Sequence, residues 1–124
     1  IPAGWMENEA ADDDANAGVI KRFSSSDRTA SITIARVQAG GRMLNEIGAR
    51  WAKERGAGIV KQRWGKKENT DYFWTLARSP ERSVMELYVL ETEEGAIVVS
   101  GTAPRDRYTA FKARLDAVFE SMAR

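Results

Sequence analysis

Two stretches of this chain hold side chains whose types and spacing suit chemistry. The first is Lys61-Gln62-Arg63-Trp64-Gly65-Lys66-Lys67, which interleaves four cations with an aromatic ring. Cations beside a ring suit phosphate contacts with base stacking, or any anionic surface. The same residues fit a wet hairpin turn with Trp64 folded into the core. That plainer reading is preferred, and no nucleic-acid partner is expected. The second stretch contributes aromatics: Tyr72, Phe73 and Trp74, with Trp51 and Tyr88 elsewhere. Such rings line ligand clefts, although aromatics at strand spacing more often fill a core. The binding candidates are therefore Arg63, Trp64, Lys66, Lys67, Tyr72 and Trp74.

Other chemistry is thinner. Asp12, Asp14 and Asn16 place oxygen ligands at alternate positions, as a calcium loop opens. Gly18 comes one place late for the turn, and Phe23 falls where the last ligand belongs. A solvated acidic loop is the expectation, with no metal and no cofactor. Carboxylate catalysis on sugars needs two acids about 5–9.5 Å apart. Asp71, Glu86 and Glu91 lie on candidate strands, but near strand ends or at alternating wet positions, so surface placement is expected. Gly40-Gly41 alone is no phosphate cradle. The sequence has no Cys and no His. That excludes disulfide scaffolds, thiolate zinc sites, Ser-His-Asp and Cys-His systems and imidazole acid–base chemistry.

The 124 residues suffice for one domain, and residues 1–124 are read as one. With 43% hydrophobic and 30% charged residues, the chain is too apolar to stay disordered. No apolar run is long enough to span a membrane. A net charge of +1 hides an asymmetry. Residues 1–18 carry five acids and no base, whereas residues 36–67 carry nine bases and two acids. Such polarity either pairs internally or marks a binding face. The chain opens at Ile1 rather than Met. A removed leader is expected, which places the protein outside the cytoplasm if that leader was a signal segment.

The elements follow from periodicity. Val19–Phe23, the polar Ser24–Arg28 and the alternating Ala30–Ile34 predict a hairpin, with a bulge or strand end near Ala35 and Val37. A helix fits Arg42–Arg55. Leu44, Ile47 and Trp51 form its stripe with Met43 alongside, Glu46 and Arg50 form an i,i+4 pair, and Gly56 is its left-handed stop. Ile59–Trp64, Asp71–Arg78, Ser83–Glu91 and Ala96–Gly101 predict strands of an antiparallel meander. Gly65–Asn69 is the first turn, and Ser79–Arg82 has Pro80 in second place. Tyr72, Trp74 and Leu76 share one face, and Phe73, Thr75 and Ala77 the other. Pro104 suits a first helical turn. Tyr108, Phe111, Leu115, Val118 and Met122 step by three and four, the stripe of a closing helix. Apolar residues on both faces of the meander require a helix on each side. The fold class is thus α+β, an α/β/α sandwich around a twisted, mostly antiparallel sheet. Trp5 is expected to dock at the sheet edge.

This order resembles the PsbP/Mog/DcrB-like group of small α/β/α domains. Ile1-Pro2-Ala3-Gly4-Trp5 is similar to its P-x-G-W opening. Val99–Pro104, Tyr108–Phe111 and Phe119–Met122 are similar to its final strand and helix, with Met122 where Phe is usual. The resemblance implies a hairpin, a helix, a meander and a closing helix. It also implies a non-enzymatic, extracytoplasmic accessory, adaptor or chaperone-like domain, periplasmic or held by a lipid anchor. A protein partner is expected, and no catalytic residue carries over. The alternative function is a binder of a small apolar or amphipathic ligand in a sheet–helix cleft.

Overall fold

In the computed structural model the described residues are 5–8, 19–25, 29–38, 43–79, 82–92 and 95–122. Asp12, Asp14 and Asn16 lie outside them. Among the described residues, seven strands form one antiparallel sheet: β1 (Trp5–Asn8), β2 (Val19–Ser25), β3 (Ser31–Val37), β4 (Gly58–Lys67), β5 (Thr70–Arg78), β6 (Ser83–Thr92) and β7 (Gly95–Pro104). Their spatial order is β1-β2-β3-β7-β6-β5-β4. Helix α1 (Leu44–Glu54) joins β3 to β4, and α2 (Tyr108–Met122) closes the chain after a 3-10 turn at Arg105–Arg107.

The two helices cover opposite faces, as the doubly apolar strands require. From α1, Leu44, Ile47 and Trp51 pack on Phe73, Ala77, Leu87, Val89 and Val98 of the sheet. From α2, Phe111, Leu115 and Phe119 pack on Ile32, Ile34, Trp74, Tyr88, Leu90 and Val99 of the other face. The drift of apolar parity at Ala35 has the same cause. Ile34 pairs with Val99 and Ala35 with Val98 without a register break, so neighbouring residues of β3 fill opposite cores. The irregularity sits instead on the partner strand, between Val19 and Lys21 of β2. Trp5 begins edge strand β1, opposite Ser25.

Three local expectations are corrected. Strand β4 does not end at Trp64. Gly65 pairs with Tyr72, and the ladder runs to Lys67, so the turn is Glu68-Asn69 alone. Gly65 is required by a close approach rather than by a turn. A Cβ there would lie 2.3 Å from the Tyr72 ring. In α1, Arg50 pairs with Glu54 at 2.9 Å rather than with Glu46. Glu46 turns back toward the helix start, where it accepts from the Met43 amide at 3.4 Å. Met43 precedes the helix and is exposed instead of joining its stripe. Pro104 ends β7 and precedes the 3-10 turn. Gly56, at φ +71°, is the left-handed stop that the sequence requires.

Gly101 sets how closely α2 approaches the sheet. A Cβ there would meet the Phe111 ring at 2.2 Å and Leu115 at 3.1 Å. Gly101→Ala is expected to destabilise by about 1–3 kcal/mol through overpacking. Urea unfolding checks this, and adding Phe111→Leu should restore part of the loss.

Candidate functional site

The least expected side chain is Glu86. Strand alternation puts it on the α2 face of β6, and that face is roofed. Its side chain is 0% exposed. The surface placement expected for it is therefore wrong; Asp71 and Glu91 are exposed as expected. Three donors converge on the carboxylate. Trp74 Nε1 of β5 donates to Oε1 at 2.6 Å. Lys112 Nζ of α2 donates to the same oxygen at 2.8 Å. The Tyr108 hydroxyl donates a short bond to Oε2.

A second cluster adjoins the first. Tyr88, two residues along β6, donates to Asp116 Oδ1 at 2.8 Å, and Lys112 Nζ lies 3.7 Å from Asp116. The Tyr88 ring stacks on Phe119 at 3.9 Å, and Tyr72 meets both rings edge-on. Tyr108, Lys112 and Asp116 are spaced four apart, so they form a polar row beside the apolar row Phe111, Leu115 and Phe119. This arrangement uses the carboxylate's acceptor capacity on donors of the fold itself. It anchors α2 to the sheet.

Burial pushes the Tyr88 hydroxyl far above its ordinary pKa of 10.0, and its bond to Asp116 adds to the rise. Burial also raises Tyr108, with its bond to Glu86 second. A raised pKa means that the native state keeps a proton the unfolded chain loses. This stabilisation is present below pH 10 and is lost as pH climbs further.

The six binding candidates fall on two faces. Trp74 is buried on Glu86, and Tyr72 is half-buried among the rings of the α2 face. Arg63 lies on that same side, its guanidinium 4.6 Å above the Trp74 ring. Lys67 reaches Glu120 of α2 at 3.7 Å. Trp64 and Lys66 point to the α1 side, where Trp64 packs edge-on against Phe73 at 4.9 Å. Trp64 is nevertheless 53% exposed, so it is not folded into the core. It helps line an open cleft of about 700 Å³ with Met43, Lys66, Asp71 and Glu91. Lys66 lies 3.9 Å from Asp71 there. The cleft thus joins an apolar wall to a solvated set of charges.

Comparison with known proteins gives a fold and no activity. No family model matches this chain, and no curated protein matches it significantly. Among solved structures, the solution structure of cyanobacterial PsbP (CyanoP) from Synechocystis sp. PCC 6803 is similar, with a TM-score of 0.73 and 16% sequence identity. The match covers 98% of this chain and 82% of that one. The chain therefore has a PsbP-like fold, as its element order implied.

Removing the carboxylate should leave three donors without their acceptor. Glu86→Ala is expected to destabilise by about 3–5 kcal/mol in urea unfolding. Lys112→Ala should cost less, because its ammonium is partly solvated. Ultraviolet titration above pH 10 should show Tyr88 and Tyr108 ionising only as the chain unfolds, with stability falling over that range. Tyrosinate appearing at both positions in the folded protein would contradict the network.

Proposed function

We propose that this PsbP-like chain is a non-enzymatic accessory or adaptor domain that binds another macromolecule through β4 and the start of α1. The supporting observation is a set of exposed apolar side chains on β4 and beside the start of α1. Met43 is 57% exposed, Ile59 45%, Val60 50% and Trp64 53%. Folding gains nothing from leaving such groups in water, and exposed apolar side chains along a sheet edge suit an interaction site. The cations of β4 border it. Action outside the cytoplasm, whether periplasmic or lipid-anchored, belongs to the same proposal. No helix among the described residues is long and apolar enough to cross a membrane.

The cleft volume favours a second reading, a small amphipathic ligand, since ligand sites span about 300–1,000 Å³. Its open shape and mixed charges favour the macromolecule. Photo-crosslinking distinguishes them. A benzoylphenylalanine replacing Trp64 is expected to yield a discrete adduct with a macromolecule of the source cell, and one replacing Arg114 on α2 is not. No adduct at position 64, together with saturable dodecanoate binding lost in Trp64→Ala, would replace the first reading with the second. Trp64→Ala should leave stability within about 1 kcal/mol in urea unfolding, because the side chain is half exposed.

A further inference from the structure

Strand β4 ends the sheet. Among the described residues, β5 is its one strand partner, and nine of its ten residues are exposed. Its outer edge therefore presents main-chain donors and acceptors to solvent. Its side chains are also sorted by face. Lys61, Arg63 and Lys67 pair with Leu76, Trp74 and Thr70, which puts all three cations on the α2 side. Ile59 and Trp64 pair with Ala77 and Phe73, which puts both apolar groups on the α1 side, where Trp64 lines the cleft. β4 carries four cations and no carboxylate.

From this sorting we infer that the outer edge of β4 takes an extended peptide segment of a protein partner, alternating acidic and apolar residues, as an added eighth strand. The inference rests on the macromolecular reading above and names the chemistry of its partner. Main-chain hydrogen bonds supply the attachment in such additions, and alternate side chains supply selectivity. Here the acids of the added strand lie beside Lys61, Arg63 and Lys67, and its apolar residues lie beside Trp64. Two existing contacts pre-position the cations: Arg63 rests on Trp74, and Lys67 leans toward Glu120. A second copy pairing through its own β4 is disfavoured, because two such edges would bring like charges together.

The test uses the whole chain and a fluorescein-labelled peptide of about eight residues alternating valine and glutamate. Anisotropy should show saturable binding that weakens at least about tenfold between roughly 50 and 500 mM salt. Lys61→Glu with Lys67→Gln, both exposed, should weaken it at least about tenfold while lowering the melting temperature by no more than about 5 °C, since the Lys67–Glu120 pair is solvated. The same peptide N-methylated at every residue keeps its side-chain charge and loses the ladder donors of both its edges, and it should not bind. Equal binding of the methylated peptide would overturn strand addition. Equal binding of a valine–lysine peptide, or tighter binding of oligothymidylate, would overturn the acidic partner. A position-64 adduct with no valine–glutamate binding would overturn this inference and leave the accessory-domain reading standing.

Discussion

The carboxylate of Glu86 is the interaction on which the rest of the architecture turns. A charge taken fully out of water is tolerated only when donors replace its hydration. Here those donors come from two elements, Trp74 on β5 and the Tyr108–Lys112 pair on α2. The apolar row Phe111, Leu115 and Phe119 repeats every four residues, so on its own it would tolerate a slip of one helical turn. The polar row does not. A slip in one direction sets Asp116 against Glu86, two carboxylates in a buried site. A slip in the other withdraws the Lys112 ammonium. The ion cluster thus fixes the register of a helix whose attachment comes from apolar burial, each large side chain contributing roughly 1.5–3 kcal/mol.

The opposite face is organised differently, and the exposed edge follows from that difference. Helix α1 packs mainly on β5 and β6 and less on β4. Its buried stripe, Leu44, Ile47 and Trp51, meets Phe73, Leu87 and Val89. The outermost strand therefore carries Ile59 and Trp64 beyond the helix's cover. On the α2 face the rim is sealed by long cations lying flat, Arg63 over Trp74 and Lys67 toward Glu120. One strand thus carries Ile59 and Trp64 with Lys66 on one side and three cations on the other, because two helices cover its neighbours unequally.

The legible parts of the sequence were those with one dominant period. The closing helix appears at its observed bounds because the step of three and four from Tyr108 to Met122 has no competing pattern. The two faces of β5 appear because both are apolar. Glu86 was misread for a physical reason. Alternation assigns a residue to a face and says nothing about whether that face is roofed, so an acid there reads as wet. The signal that identifies it is joint: Trp74 and Tyr88 on the same face, and Tyr108, Lys112 and Asp116 as a polar row beside an apolar stripe. Gly65 was misread as a stop because a glycine that ends a strand and one that admits a ring from the next strand look alike in sequence. Of the binding candidates, the strand pattern separates Trp64 from Arg63 by parity. Lys67 needs the fold, because its partner Glu120 lies on α2, far along the chain.

An exposed strand edge is ordinarily a liability, and lysines along it are a common defence against indiscriminate pairing. On β4 the defence is selective. Cations on one side repel another basic edge and attract a carboxylate, while Trp64 on the other side remains able to bury an apolar group. The strand is paired to β5 from Gly58 to Lys67, with one irregularity near Val60. Its backbone is therefore already ordered, and in an added ladder only the arriving segment loses conformational freedom. The deep anchoring of α2 serves the same end. Register fixed at Glu86 holds Trp74 and Glu120 in place, these two hold Arg63 and Lys67, and the charge pattern of the edge is thereby set from within the core.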